Sequence, residues 1–274
     1  GKVIDGGADY IQRNAMVMLA LIDLLNSQKV GYEELVVLGA SMGGLIGRYG
    51  LAYMEQNNLP TETRLYISFD SPHRGANIPI SLQYLVNYLA DQLGDPDASA
   101  IVDDVLNSPA AKEMLYDHIS GHLLSGSAYE QDPTLLLPAG APNFRDIFQA
   151  ELDAIGFPQQ VRNIAMVNGS ALGETTGTPG MEVINTNLEI GPGITADVNL
   201  HFTPLTSQIN NVTTFNSFLA GIPVATFNAD AESFATSDGI DAAPGGTGDI
   251  AGALGGSGTT NPVIEAFIDA LDQE

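Results

Sequence analysis

Residues 34–57 of this 274-residue chain, ELVVLGASMGGLIGRYGLAYMEQN, contain the pattern that decides the fold. Leu35–Leu38 form an apolar run with charge before it and glycine after it, which is typical of a strand buried on both faces. From Gly43 to Asn57 the apolar residues return to helical spacing. Between strand and helix lies Gly39-Ala40-Ser41-Met42-Gly43, a G-x-S-x-G sequence. A sharp turn there would make the Ser41 side chain project at the carboxyl end of a sheet.

The segments on either side extend the same alternation. Asp9–Ser27 has apolar residues at spacings of three and four, which predicts a helix before the first strand. Arg64–Phe69 and Val161–Val167 are two more short apolar runs of strand type. Helices and strands that alternate along the chain indicate crossover connections over a parallel sheet. The sequence therefore predicts an α/β fold with a mainly parallel sheet.

The rest of the chain is predicted to be an insertion and a late hairpin region. Helical patterns between residues 80 and 155 predict a helical cap, inserted into a core of residues 1–79 and 156–274 that forms a single domain over 1–274. The predicted helices are Ser81–Leu93, Ala98–Leu106, Pro109–Ser120 and Phe144–Ile155. Residues 168–243 are rich in Thr, Asn and Gly with short alternating segments, which predicts antiparallel hairpins. A final helix is predicted from Asn261 to Leu271.

Composition excludes several classes of function. The chain has 33 acidic and 9 basic residues, so its formal charge is −24. A field of that sign repels phosphate backbones and anionic lipid surfaces, and we expect no nucleic-acid partner. The absence of cysteine excludes disulfides, thiolate catalysis and cysteine-ligated metals. No run of about 18 apolar residues occurs, and no integral membrane segment is predicted.

Ser41 is the strongest candidate for chemistry. A serine held at a strand-to-helix turn is a nucleophile candidate, and the N–H of Met42 at the helix start would stabilise a developing oxyanion. His118 and His122 have a spacing that would suit a metal on a helix, but Gly121 interrupts it and no third ligand is evident. We therefore predict a surface pair there, with no metal and no organic cofactor.

Two motifs resemble a known family. Gly39–Leu45, GASMGGL, and Ser68–Gly75, SFDSPHRG, are similar to sequences of serine hydrolases with the α/β-hydrolase fold, in particular lipases and esterases. The second motif resembles the Pro-His-x-Gly loop of lipases. The resemblance implies hydrolysis of a small-molecule or lipid ester through an acyl-enzyme on Ser41, without a cofactor.

Further segments resemble a group of bacterial, secreted lipase-like hydrolases. They are Asp9–Asn14 and Arg162–Ser170, with a weaker match at Asp241–Gly246. The resemblance implies an extracellular location. It also implies strands and a second oxyanion donor before the helix at Asp9, and that region is absent from the sequence.

The catalytic base stays open. In this family the histidine normally follows the last strand, whereas here none follows the final glycine-rich stretch; the four are His73, His118, His122 and His201. The base lies either beyond Glu274, which we expect, or among these four. His73 resembles the lipase loop histidine, and His201 lies on a predicted strand downstream of Ser41.

The acid and the reaction also have alternatives. Asp70 ends the strand after the nucleophile helix, a position that some lipases use for their acid, and Asp241 lies in the later loop that is used more commonly. We favour Asp241 slightly over Asp70, with Asp238 third.

One alternative function is a non-catalytic binding or surface module, or an inactive fragment, that lacks its base. Another is an acyltransferase or amidase with the same nucleophile.

Overall fold

The computed structural model describes residues 7–175 and 177–243, which form two compact units. The first unit comprises residues 7–76, 108–115 and 142–168, and the second comprises the remaining described residues. The elements in chain order are α1 (Ile11–Gln28), β1 (Leu35–Ala40), α2 (Met42–Gln56), β2 (Thr63–Phe69), α3 (Ile80–Leu93), α4 (Pro96–Ala100), a π-helical segment (Ile101–Leu106), α5 (Pro109–Met114), a 3₁₀ turn (Ile119–Gly121), α6 (Arg145–Ile155), β3 (Arg162–Met166), β4 (Glu182–Gly191), β5 (Ile194–His201), β6 (Ile209–Leu219), β7 (Ile222–Glu232) and a 3₁₀ turn (Ile240–Ala242).

The first unit contains the parallel strands that the sequence predicted. Its sheet has the order β1-β2-β3, and both pairings are parallel. At the carboxyl ends, Ala40 lies opposite Phe69, and Phe69 lies opposite Met166. The three strands therefore end at the same edge of the sheet.

Helices α1 and α2 pack against one face of this sheet. The core there consists of buried side chains from both helices and from β2 and its surroundings: Ile22, Leu51, Met54, Tyr66 and Val161. A Cβ on Gly47 of α2 would lie 2.8 Å from the Tyr66 ring, so the absence of a side chain lets the helix approach β2 closely.

Helix α5 begins with Ser108 as its cap, whose Oγ accepts from the N–H of Ala111 at 3.1 Å, and with Pro109 in its first turn, as the sequence predicted.

The second unit is built on an antiparallel sheet. Its four strands have the order β4-β5-β6-β7, and α3 packs across one face with residues 80–89 buried. The ring of Tyr88 stacks on Phe227 at 4.6 Å between centroids. The Thr213 hydroxyl donates to the Ser81 carbonyl at 2.9 Å, which ties the helix to β6.

The prediction of a mainly parallel sheet is wrong for the chain as a whole. The fold is mixed α/β, with three parallel strands in one sheet and four antiparallel strands in another. The physical reason is the length of the late connections. Ala220 and Gly221 join β6 to β7 and both have positive φ (50° and 81°), which is the backbone of a tight hairpin and permits only an antiparallel return. The late hairpins themselves were predicted and are present.

Some predictions concern ranges that the structure divides or does not describe. Of the predicted cap at 80–155, residues 80–107 and 116–141 belong to the second unit, and 108–115 and 142–155 belong to the first. Their action as one cap stays a prediction. The predicted final helix at 261–271 lies outside the described residues. In the described part of the chain, no helix has both the length and the apolar character needed to cross a membrane.

Candidate active site

Ser41 lies at the turn between β1 and α2 in a backbone conformation that L residues seldom adopt. Its φ is 50° and its ψ is −126°, and such a conformation costs about 1–3 kcal/mol for a residue with a side chain. Its N–H donates to the Phe69 carbonyl at 2.9 Å, and its carbonyl accepts from the Gly44 N–H at 3.0 Å. These bonds fix the turn to β2 and to the start of α2, and the residue stays exposed to solvent.

Close contacts explain two of the glycines at this turn. A Cβ on Gly39 would lie 2.1 Å from the carbonyl oxygen of Gly43, and a Cβ on Gly44 would lie 1.9 Å from the Oγ of Ser71. Any side chain at either position would therefore push the turn open. A Cβ on Gly43 would have no neighbour within 4 Å. The backbone beside the serine is thus tightly packed on one side and open on the other.

Met42 is the first residue of α2. Its N–H is one of the helix donors that have no acceptor within the helix, and the N-terminus of a helix carries partial positive charge. Because Met42 directly follows Ser41, this donor lies beside the nucleophile candidate. The role of Met42 in stabilising an oxyanion stays a prediction.

Asp70 lies at the same edge of the sheet as Ser41. It directly follows β2 and, like Ser41, has a positive φ, of 49°. Its N–H donates to the Met166 carbonyl at 2.7 Å, and its Oδ1 accepts from the N–H of Asn168 at 3.4 Å. The structure therefore brings Ser41 and Asp70 to the ends of adjacent strands, both in strained conformations.

His73 belongs to the same unit, but its ring is engaged elsewhere. Nε2 lies 2.8 Å from the Oγ of Ser68, and Nδ1 is buried without a partner. The ring stands edge-on to Phe157, with centroids 5.1 Å apart. Burial, followed by the nearby Arg48 guanidinium, lowers the pKa of His73 to about 4. His73 is therefore neutral at pH 7 and is bonded to β2 rather than to Ser41.

The polar residues beneath the turn were not predicted from the sequence. Ser68 contacts His73, and the Tyr66 hydroxyl donates to the carbonyl of Gly44 at 2.5 Å. Burial raises the pKa of Tyr66, and a hydrogen bond with Ser68 acts against that rise. Strand alternation was the available signal, because Tyr66 and Ser68 are two residues apart and share the face of β2 that packs against α2.

Asp241 lies in the second unit, where both of its carboxylate oxygens have partners. Oδ1 accepts from the Asn77 amide at 2.6 Å, and Oδ2 accepts from the Thr203 N–H at 2.8 Å. Burial raises the pKa of Asp241, while these two bonds act in the opposite direction. The third candidate, Asp238, accepts from the N–H and hydroxyl of Thr206 at 2.9 and 2.6 Å, and these bonds lower its pKa. Both carboxylates tie loops of their own unit together.

His201 is the last residue of β5, as predicted from its position on a strand. Its Nε2 lies 3.9 Å from a carboxylate oxygen of Glu182 on the neighbouring strand, and Nδ1 is buried without a partner. His201 and Asp241 belong to the second unit, whereas Ser41, Asp70 and His73 belong to the first. Of the predicted acids and bases, only Asp70 and His73 are therefore in one unit with Ser41.

The prediction that His118 and His122 form a surface pair is wrong, because both residues are buried. Nδ1 of His118 accepts from the Ser120 N–H at 3.0 Å, and Nε2 donates to the Leu106 carbonyl at 2.9 Å. Both nitrogens of His122 face acceptors, the Leu135 carbonyl at 2.7 Å and a carboxylate oxygen of Asp117 at 2.6 Å. An imidazolium donates from both nitrogens and so satisfies both acceptors.

The surroundings of His122 agree with its charged form. Burial lowers the pKa of His122, but the hydrogen bond and the charge of Asp117 outweigh it, and the pKa is raised above its ordinary value. The Asp117 carboxylate also accepts from the Ala139 N–H at 3.0 Å. The two residues form a closed structural pair that joins segments of the loop between residues 116 and 141.

Comparison with known proteins identifies no relative. A scan against protein-family models, a search of curated proteins and a search of solved structures each found no match. Within residues 7–175 and 177–243, no group of three or more His, Asp or Glu side chains is arranged to hold a metal ion. The geometry at the carboxyl edge of the parallel sheet is therefore the main evidence about function.

Proposed function

We propose that the chain is a serine hydrolase that cleaves carboxylic esters through an acyl-enzyme on Ser41. The observation that carries this proposal is the positive φ of Ser41 between a parallel strand and the helix that follows it. Strained residues of this kind persist only where the surrounding structure imposes them, and they cluster at active sites. The turn presents Oγ at the carboxyl edge of the sheet, with the Met42 N–H beside it.

We further propose that the first unit is the nucleophile-bearing part of an α/β-hydrolase fold; that the protein is secreted and bacterial is a proposal that rests on the resemblance of its sequence motifs alone. Parallel strands β1 and β2, with α2 between them, give the strand–serine–helix order of that fold. The two hydrolase-like motifs fall on the ends of these two strands. Their position at the carboxyl ends of adjacent strands supports the proposal.

In the proposed reaction, Ser41 Oγ attacks the ester carbonyl while a histidine accepts its proton. The Met42 N–H stabilises the oxyanion of the tetrahedral intermediate, which collapses to the acyl-enzyme as the histidine protonates the departing alcohol. Water then repeats the sequence and releases the acid. We propose Asp70 as the carboxylate that orients the histidine, because it shares the sheet edge with Ser41. It is also the only carboxylate between residues 69 and 73 or between 167 and 173, the segments that follow β2 and β3.

The histidine is the component that the described residues do not connect to Ser41. His73 is bonded to Ser68, and His201 belongs to the other unit. Which histidine is the base therefore stays open.

Labelling with a fluorophosphonate tests the proposal, because the reagent reacts only with an activated serine. We expect one adduct by intact mass, mapping to Ser41, and loss of both the adduct and ester hydrolysis in Ser41→Ala. Ser207 provides a matched control, since it is also an exposed serine with positive φ, at 59°, but does not lie between a strand and a helix. Ser207→Ala should label like the unchanged protein.

A second candidate is a binding module without catalysis. The observation that favours it is that, in residues 7–175 and 177–243, no histidine ring is hydrogen-bonded to Ser41. Folded protein that gives no adduct and no hydrolysis of short-chain or long-chain esters would support this alternative and contradict the ester-hydrolase proposal.

A further inference from the structure

The chain contains a single asparagine that is followed by glycine, Asn168 before Gly169. The other seventeen asparagines each precede a residue that carries a Cβ. The pair begins two residues after β3 ends at Met166, and both of its residues are exposed to solvent. Because glycine has no Cβ, its backbone nitrogen can approach a neighbouring group closely. The side-chain amide of Asn168 is the nearest such group along the chain.

Within residues 7–175 and 177–243, neither the side-chain amide of Asn168 nor the N–H of Gly169 has a hydrogen bond. The one bond at Asn168 there comes from its own backbone N–H, which donates to Oδ1 of Asp70 at 3.4 Å. After the pair, the Oγ of Ser170 accepts from the N–H groups of residues 172 and 174 at 3.2 and 3.0 Å. The main chain is thus restrained before and after the amide and the nitrogen, but these two groups are not.

The pair Asp238-Gly239 has the same pattern of an acidic or amide side chain before glycine, but its groups are restrained. Oδ1 of Asp238 accepts from the N–H and the hydroxyl of Thr206, and the N–H of Gly239 donates to the Pro204 carbonyl at 2.9 Å. Gly239 is buried, and a Cβ there would lie 2.2 Å from the Oγ1 of Thr203. The nitrogen and the carboxylate of this pair are therefore both held apart from each other by other partners.

An unrestrained Asn-Gly pair can react with itself and with water. The Gly169 nitrogen attacks the side-chain carbonyl carbon of Asn168, a C–N bond forms, and the former amide group leaves as ammonia after taking up the proton of that nitrogen. The product is a cyclic succinimide. Water then opens one of its two C–N bonds. Cleavage at the former main-chain carbonyl gives isoaspartate, and cleavage at the former side-chain carbonyl gives aspartate.

We propose that Asn168 converts spontaneously to isoaspartate, so that Asn168-Gly169 is a covalent modification site beside Asp70. The product carries one more negative charge, which takes the formal charge of the chain from −24 to −25. Its main chain is also longer by one carbon atom at residue 168. Asp70 is otherwise the only carboxylate in residues 69–73 and 167–173, which follow β2 and β3. The modification adds a second carboxylate to these segments.

The consequence for catalysis rests on the proposed function, in which Asp70 orients the histidine. The N–H that donates to Oδ1 of Asp70 belongs to the residue that is modified. The longer main chain displaces this donor, and the added carboxylate repels that of Asp70. Because Asp70 acts on the transition state, the loss should appear in kcat rather than in KM. We expect kcat for a p-nitrophenyl ester to fall by about threefold to tenfold, the equivalent of one hydrogen bond.

Incubation of the full-length chain at neutral pH, followed by peptide mapping, tests the modification itself. The peptide with Asn168 should gain one dalton ahead of all other asparagine peptides, and an isoaspartyl methyltransferase should methylate it. Gly169→Val should slow the gain by about tenfold or more, because a β-branched side chain hinders the approach of the nitrogen. Leu172→Val is the matched control, since it places the same side chain at an exposed residue of the same loop, and it should leave the rate unchanged. A gain no faster than at Asn107, which is exposed but precedes serine, would overturn the proposal.

Activity is measured separately, after anion exchange has resolved the modified from the unmodified chain by their difference in charge. Asn168→Gln keeps the amide and the backbone N–H but closes the larger ring far more slowly, so its kcat should stay constant during the same incubation. Modification without a change in kcat would confirm the site and contradict the role of Asp70 in the proposed function. Protein that reacts with a fluorophosphonate at Ser41 but is never modified at Asn168 would overturn this proposal alone.

Discussion

The two units of this protein use polar residues in opposite ways. In the parallel sheet of the first unit, Ser41 and Asp70 follow adjacent strands, have positive φ and are exposed. In the second unit, Asp117 and His122 are buried and hydrogen-bonded to each other, and Asp241 has a partner on each oxygen. The first arrangement leaves polar atoms available at the expense of backbone strain, whereas the second satisfies them within the fold.

This difference indicates which polar residues are available for chemistry. A hydrogen-bonded carboxylate that closes a loop contributes to stability, and its replacement should change unfolding more than catalysis. A strained residue with an exposed side chain contributes little to packing, and its replacement should change catalysis more than unfolding. Substitutions in the two units therefore separate the two roles.

The largest effect is expected from Asp70→Asn. The loss of the carboxylate that orients the histidine should lower kcat for a p-nitrophenyl ester by about 10⁴-fold, with little change in unfolding by urea. The matched control is Asp241→Asn, which cannot accept from both Asn77 and Thr203. It should cost about 1–3 kcal/mol of stability and leave kcat within a few-fold. The reverse pattern would assign the acid to Asp241.

Asp117→Ala should have the largest effect on stability. It leaves the imidazolium of His122 buried without its partner, and breaking a buried ion pair in this way costs about 3–5 kcal/mol. Urea unfolding followed by circular dichroism measures the loss. Asp197→Ala, an exposed aspartate of β5 in the same unit, should change stability by no more than about 0.5 kcal/mol. Equal effects of the two substitutions would contradict a structural role for the buried pair.

Gly39→Ala should destabilise the first unit by about 2–3 kcal/mol, because the new Cβ would overlap the backbone at Gly43. Gly43→Ala provides the control at the other glycine of the motif, where the added Cβ has no neighbour within 4 Å. That variant should unfold within about 1 kcal/mol of the unchanged protein. If both variants unfold alike, the turn is not as tightly packed as the structure indicates.

Two histidines should give opposite and smaller dependences on pH. The pKa of His73 is lowered to about 4 by burial. Below pH 6.5 its ring therefore binds a proton in the unfolded chain but not in the folded protein. Stability should fall by about 1–2 kcal/mol between pH 6.5 and 4, after allowance for solvent at the ring. In His73→Gln this fall should be absent, and the difference between the pH profiles of stability of the two proteins gives the contribution of His73. The raised pKa of His122 gives stability that is present below pH 6.5 and is lost at higher pH, and His122→Gln should remove it.

The turn at Ser41 could be predicted from the sequence because its causes are local. The run Leu35–Leu38, the glycine at 39 and the helical spacing after Gly43 each act within a few residues. The choice between Asp70 and Asp241 could not be made in this way, since each is an aspartate in a loop and only tertiary contacts distinguish them. The burial of His122 was missed for the same reason, because its carbonyl acceptor at Leu135 is 13 residues away.

The free edge of β1 has a consequence for handling the protein. Among the described residues, β1 pairs with β2 on one side only, and an unpaired edge is a template for strands of other molecules. At low ionic strength the charge of −24 keeps molecules apart, but at about 1 M salt the screening length falls to about 3 Å. We therefore expect this protein to stay dispersed in buffer of low ionic strength and to aggregate when the salt concentration is raised.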